Sequence, residues 1–518
     1  MQKITRWLSF AAFGWFCSLS NAQVERPNIV VVLTDDLGFS DLGCYGSEIE
    51  TPNLDRLAAN GLRFTQFYNT AKCHSSRVSL LSGQWCRQAG DESLKHAVTI
   101  PEVLQSAGYV TMMTGKWHLE KEPTDFGFQR YFGHLSGATN YCRGDNTFRL
   151  NGQPWEVPKS GFYTTVANVD HALEFLGEAR KEKKPWFLYI AFNAPHAPLQ
   201  PLKQDYEKYL GRYDVGWDVM REARIEKQRK LALFGKDLKA CPRPDHIPAW
   251  KDLPKATQEW EVKRMTAYAG LIDRVDQEIG RLIKDLEAKG ELDNTLILFL
   301  SDNGACPYDR NNLGKDLEPY HPESRWTDST GWAWARNSPF RFYKQNQFEG
   351  GIATPAIVHW PKGLKVAKGA VVHEPAHLVD VLPTLVDITG AKRPETWPGR
   401  ELRSLAGISL KSVMEGKPLG VMGARPPIHL LHDKDRGLRA GDWKLVSFRS
   451  QKWELYNLAE DRCELNNVAD QHPQMRDHMV KEWHRMAKEV LHATEGEQKP
   501  VSEGPVEYAN REWTKFKK

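Results

Sequence analysis

With 518 residues, 41% of them hydrophobic and 26% charged, the chain can bury a large core and is expected to divide into two or more domains. Its formal charge of +4 is not gathered into any Lys/Arg block. That excludes the electrostatic footprint of a nucleic-acid binder and leaves a weak bias toward anionic substrates.

The N-terminus opens with Lys3 and Arg6, continues as an apolar run over 8–17 and reaches small residues before Ala22. This is the pattern of a Sec-type signal peptide spanning 1–22, too short to cross a bilayer. The mature protein is therefore expected to be exported, periplasmic or secreted. It is also expected to be free of the membrane, because no later segment reaches ~20 consecutive apolar residues. Removing Cys17 leaves seven of the eight cysteines, so at least one thiol must stand outside any disulfide framework. Their irregular spacing lacks the paired rhythm of a structural zinc site.

Short β-rich apolar runs then alternate with helical stretches, the pattern of an α/β fold with a large, mainly parallel sheet flanked by helices. Strands are predicted at 29–33, 110–113, 186–192 and 296–300, and helices at 51–60, 99–107, 166–179 and 257–289. The last helix would open on Thr257 as N-cap and stop at Gly290. The basic segment 200–255, with its Trp and Pro residues, reads as an insertion over or beside the sheet within a catalytic domain of 23–420. Beyond it, strand-like pieces at 437–447 and 453–458 and a helix at 474–491 predict a smaller α+β domain, 421–518, on an antiparallel sheet with a disordered tail. Trp217, Trp250, Trp260, Trp326, Trp332 and Trp334 are suited either to stacking on sugar rings or to filling the core.

Polar residues follow four of the predicted strands: Asp35 and Asp36, then Lys116 and His118, then His196, then Asp302 and Asn303. In open parallel sheets ligands bind beyond the carboxyl ends of the strands, so these groups are expected to converge on one cleft. Asp35, Asp36, Asp302 and Asn303 offer only oxygen ligands, three of them anionic, a set suited to Ca²⁺ or Mg²⁺ rather than zinc. Taken singly, each acidic pair is equally a turn or helix cap.

The segment 73–83 carries Cys73, Arg77 and a Ser-Leu-Leu-Ser-Gly continuation. It resembles the signature of the type I, formylglycine-dependent sulfatases of the alkaline-phosphatase-like superfamily, with Ser75 where that family usually has Pro or Ala. Segments 27–38, 51–58, 115–119, 194–198, 299–304, 337–344 and 349–355 resemble further family motifs in the right order, with Glu120 where glycine is commoner. The resemblance covers nearly all of the mature chain.

The resemblance implies hydrolysis of aryl or carbohydrate sulfate esters, with a sulfated glycan preferred. It also implies oxidation of Cys73 to formylglycine by a sulfatase-maturing enzyme, and one Ca²⁺ held by Asp35, Asp36, Asp302, Asn303 and the modified Cys73. Arg77, Lys116 and Lys344 would bind the sulfate. Asp302 would take a proton from the attacking hydroxyl, His196, assisted by Lys344, would protonate the leaving group, and His118 would trigger sulfate release. Two other readings stay open: hydrolysis of phosphate mono- or diesters on the same scaffold, and an inactive descendant that binds sulfated glycans. His134 and His377 have no assigned role, and the stretch 432–436 is expected near the substrate pocket.

Overall fold

The computed structural model describes residues 26–309, 316–419 and 425–492. The signal peptide expected at 1–22, the boundary near 420 and the terminal tail lie outside the described residues. The main sheet contains β1 (Asn28–Thr34), β2 (Leu62–Tyr68), β3 (Val110–Lys116), β4 (Arg130–His134), β5 (Phe148–Leu150) and β6 (Gln153–Pro154). It continues with β7 (Trp186–Ala191), β8 (Thr295–Ser301), β9 (Ala353–His359), β10 (Ala370–Val372) and β11 (Ala376–His377). The spatial order is β10-β2-β9-β8-β1-β7-β3-β4-β5-β6, with β11 beside β2.

The centre, β8-β1-β7-β3-β4, is wholly parallel. Its alternating residues feed two cores. Val30, Val32, Leu188, Ile190 and Phe299 face one side, where helices Thr164–Lys181 and Lys255–Ala288 supply Val169, Leu176, Leu271 and Val275. Ile29, Val31, Leu33, Phe187 and Leu298 face the other, covered by helices Cys73–Ser82, Ile100–Ser106 and Val381–Thr389. Burial on both faces is why these strands read as continuous apolar runs.

β2 and β9 were not among the predicted strands. Arg63 and Gln66 interrupt the apolar pattern of β2, and Pro355 stands inside β9, where proline argues against a central strand. β9 runs antiparallel to β8, and β2 antiparallel to β9. The start of β9 and the end of β2 therefore lie on the same edge as the carboxyl ends of β1, β3, β7 and β8. The long helix starts at Lys255 after Pro254 rather than at Thr257, and no side chain caps it. Thr99 does cap its helix, in a reciprocal pair with Glu102.

The second sheet is an antiparallel meander, β12 (Ile428–His432), β13 (Asp435–Ala440), β14 (Trp443–Ser447) and β15 (Glu454–Asn457). The stretch 437–447 is thus two strands, turning at Gly441 with φ +55°. Helix Pro473–Glu489 packs on this sheet through Met479 and Trp483. A buried ion cluster joins the two sheets: Lys444 Nζ lies 2.8 Å from Glu349 Oε1 and 2.7 Å from Glu464 Oε1, and Arg462 also pairs with Glu349.

The 200–255 segment folds as helices Lys203–Glu207 and Gly216–Lys230 plus loops. Its tryptophans belong to the core: Trp217 lies 4.9 Å from Trp250 and 5.9 Å from Trp332 between ring centroids; beyond the segment, half-buried Trp260 packs on Trp326 at 4.8 Å. These rings anchor the segment instead of offering stacking platforms. Arg221 donates to the carbonyls of Trp334, Pro339 and Cys241, tying it to the loop that leads toward Lys344. No disulfide joins the seven cysteines among the described residues, and no helix there is long and apolar enough to cross a membrane.

Candidate active site

Six chain segments reach one edge of the main sheet. Asp35 and Asp36 follow β1, Lys116 ends β3, His118 lies two residues on, His196 follows β7 and Asp302 and Asn303 follow β8. The end of β2 delivers the loop before Cys73, and Lys344 lies ahead of β9. Backbone bonds lace the loops together: Asp35 N donates to Ala194 O, Asp302 N to Thr34 O, Lys344 N to Ala305 O and Gln345 N to Ala71 O. Two glycines permit the approach. Gly115 has φ +100°, and a Cβ there would stand 2.0 Å from the Ala191 carbonyl oxygen; at Gly304 it would meet the Gly350 carbonyl oxygen at 1.9 Å. Asp36 and His118 also hold positive φ, 70° and 57°, a conformation costly for non-glycine residues and concentrated at functional sites.

Three buried carboxylates face three buried cations. Lys116 Nζ pairs with Asp35 Oδ2, Lys344 Nζ lies 2.5 Å from Asp36 Oδ1, and Arg77 donates to Asp302 Oδ2 at 2.9 Å and to the Lys116 carbonyl at 2.8 Å. Asn303 Nδ2 donates to Asp36 Oδ1 at 2.6 Å. Three acceptors of this cluster, Asp35 Oδ1, Asp36 Oδ2 and Asn303 Oδ1, are buried without a hydrogen-bond partner among the described residues. Buried oxygens left unpaired are costly. A hard cation would satisfy all three, since the donors are oxygens and two are anionic.

The electrostatics agree. Burial would raise Asp35, yet Lys116, His196 and Arg77 outweigh it and hold the carboxyl well below its usual range. Asp36 is likewise lowered against burial, chiefly by Lys344. Asp302 goes the other way, pushed up to about 7 by burial and by the charge of Asp35. Asp302 is thus the carboxyl of the three whose ionisation the paired side chains leave disfavoured, and a bound cation would favour it. Burial opposes charge on Lys344, but Asp36 raises it well above the ordinary lysine value. Burial lowers His196 to about 4, against Asp36 and Asp35. Its Nδ1 lies 2.6 Å from the Ala197 carbonyl, so Nδ1 carries the proton and Nε2 faces Asp36 Oδ2 at 3.6 Å.

Cys73 is the first residue of helix Cys73–Ser82 and is buried, placing it where the helix dipole favours negative charge. Its sulfur and ring nitrogens of His74 and His118 lie within 4.8 Å of one another. Burial, then Lys116 and Arg77, lower the His118 imidazole far below its ordinary value. Ser75, the departure in the motif, donates to the Lys72 carbonyl at 3.1 Å and bonds Thr70 Oγ1 at 2.6 Å, so its hydroxyl helps fold the turn into the helix. His432 stands 6.2 Å from the His74 ring. His134, bonded to Ser136, and His377, accepting from Val379 N, are structural.

Sequence reasoning missed a supporting layer. Arg336 donates to the Asp36 carbonyl at 2.9 Å and to Asp328 at 2.5 Å. Tyr268 Oη lies 3.1 Å from the same carbonyl and 2.8 Å from Asp41 Oδ2, its single proton shared between them, and Arg224 donates to Asp41 Oδ1. This network fixes the strained Asp36 backbone. Arg336 immediately precedes a recognised motif, but Asp41, Tyr268 and Asp328 carry no local signal.

A family model described as Sulfatase matches residues 27–391, and one described as N-sulphoglucosamine sulphohydrolase, C-terminal, matches 340–491. The chain belongs to the sulfatase family. This sulfatase is 32% identical over 439 residues to an uncharacterized sulfatase of Schizosaccharomyces pombe, covering 74% of this chain and 78% of that one. It is 28% identical to an arylsulfatase of Klebsiella aerogenes, covering 76% and 94% of the two chains. Among solved structures it is similar to Ps i-CgsB in complex with k-i-k-neocarrahexaose, with a TM-score of 0.67 and 25% identity over 94% of this chain and 97% of that one. The family and its relatives make the chain a sulfuric ester hydrolase.

Proposed function

We propose that this sulfatase is an exported enzyme that hydrolyses carbohydrate sulfate esters, using a formylglycine made from Cys73 and one Ca²⁺. The observation that carries the proposal is the set of three unpaired, buried acceptors, Asp35 Oδ1, Asp36 Oδ2 and Asn303 Oδ1. They lie within a ring formed by Lys116, Lys344 and Arg77. Asp35, Asp36, Asp302 and Asn303 would hold the cation, whose chemistry is to neutralise sulfate charge and acidify a bound hydroxyl. An oxidised Cys73 supplies a hydrated aldehyde, one hydroxyl to attack sulfur and a second whose deprotonation expels sulfate without a water attacking the ester.

The chain's own groups do the rest. Lys116, Lys344 and Arg77 are buried and aimed where non-bridging sulfate oxygens would gather charge, and such charges act strongly away from bulk water. Arg77 also orients Asp302, the base for the attacking hydroxyl. His196 is fixed by the Ala197 carbonyl with Nε2 toward the site, and hands a proton to the leaving oxygen when the arriving sulfate raises its basicity. His118, beside Cys73, takes the proton from the second hydroxyl. The carbohydrate preference is supported by the similarity to Ps i-CgsB in complex with k-i-k-neocarrahexaose.

The test is mass analysis of the Cys73 peptide from protein made with a sulfatase-maturing enzyme, joined to rates on sugar sulfates. Conversion of CH₂SH to CHO, with activity that Cys73→Ala abolishes, is expected. Unmodified cysteine in fully active protein would overturn the proposal.

A further inference from the structure

One polar pair beside the nucleophile has no part in the mechanism above. His74, the residue after Cys73, points a ring nitrogen into the same 4.8 Å cluster as the Cys73 sulfur and His118. Its Nε2 lies 3.3 Å from Glu92 Oε1, and both side chains are partly open to solvent, at 26% and 36%. Cys73 and Lys344, by contrast, are buried. The His74 ring stands edge-on to His118 at 5.8 Å and faces His432 of the second sheet at 6.2 Å. The pair therefore offers partly exposed polar atoms directly beside the buried nucleophile.

Resting on the sulfatase reading, we propose that His74 and Glu92 are a specificity pair that hydrogen-bonds a sugar hydroxyl adjacent to the sulfated carbon. A carboxylate accepts only, and a histidine ring held by one nitrogen keeps the other for a ligand. With its Nε2–H turned to Glu92, His74 presents an acceptor at Nδ1 beside the acceptor carboxylate, and the pair matches the proton that a hydroxyl donates. A leaving group without that hydroxyl leaves the partly desolvated pair unmatched, the situation in which polar sites discriminate best.

The experiment compares hydroxylated monosaccharide sulfates with their deoxy analogues, which lack the neighbouring hydroxyl but keep a similar leaving-group basicity. Formylglycine content and melting temperature are checked for each protein. In the wild type, the hydroxylated member of at least one pair is expected to be preferred by about tenfold or more in kcat/KM. His74→Ala and Glu92→Gln should each remove most of that preference, leaving rates on the deoxy analogue within about threefold. Glu92→Gln does not alter the maturation motif, so it separates recognition from Cys73 conversion. Equal losses on both substrates, or a preference that survives both substitutions, would overturn the inference while leaving the sulfatase reading intact. A fully converted wild type inactive on every sulfate would instead sink that reading, and the inference with it.

Discussion

Lys344 donates from Nζ to Asp36 Oδ1 at 2.5 Å across 308 positions of sequence, with both side chains wholly buried. Removing one partner of a buried pair strands the other charge, at a cost of about 3–5 kcal/mol. Lys344→Ala should therefore destabilise the cation-free protein by about that amount in denaturant unfolding. Added Ca²⁺ should return much of the stability but not the activity, with kcat expected to stay about 10²–10³-fold down.

The unpaired oxygens of Asp35, Asp36 and Asn303 make a direct expectation for cation binding. Ca²⁺ that binds only the folded state stabilises it by about 2.7 kcal/mol at a hundred times Kd. Calcium should raise the melting temperature and chelator should lower it. Asn303→Ala or Asp36→Asn should abolish the shift, and Mg²⁺, with its stricter octahedral demand, should produce less of it.

Asp435 lies in the second sheet near His432, and burial raises its carboxyl to about 8, against the nearby Arg449. A raised folded-state pKa means that the folded protein keeps a proton the unfolded chain gives up. The contribution to stability is full below pH 3.8, the ordinary value, and is lost as pH rises toward 8. Asp435→Asn should flatten the fall in unfolding free energy over that window, which amounts to at most about 1.4 kcal/mol per pH unit. Denaturant titrations at several pH values measure it.

The ion cluster of Lys444, Glu349, Glu464 and Arg462 holds the second sheet against the segment that leads into β9. Burial opposes ionisation of Glu349, but Arg462 and Lys444 lower it to about 2, whereas burial raises Glu464. Lys444→Ala is expected to cost about 3–5 kcal/mol. Because Glu349 lies five residues after Lys344, the same change should raise KM for sulfated substrates. Replacing the whole cluster with apolar residues should cost less than the single substitution. Unfolding curves and steady-state rates give both readouts.

General acid catalysis by His196 predicts dependence on the leaving group. His196→Ala should reduce kcat on sugar sulfates by about 10²–10⁴-fold. An aryl sulfate such as p-nitrophenyl sulfate, whose leaving oxygen needs little protonation, should lose much less.

Much of the site was legible before any coordinates because a parallel strand buried on both faces advertises itself as an apolar run. Asp35, Lys116, His196 and Asp302 are read off the ends of β1, β3, β7 and β8, and the oxygen ligand set of Asp35, Asp36, Asp302 and Asn303 points to a hard cation. The local spacing of Cys73 and Arg77 pointed to the chemistry. What the sequence left open was the route by which Cys73 and Lys344 arrive. They come by β2 and β9, whose polar and proline-containing sequences conceal them, and β9 runs against its neighbours, so that its start rather than its end faces the site. The pairing of each cation with its carboxylate, the Arg336 and Tyr268 braces on the Asp36 backbone and the contact between His74 and Glu92 were likewise decided only in the folded chain. Such contacts join residues tens to hundreds of positions apart, and their energies depend on burial and distance, which local pattern does not encode.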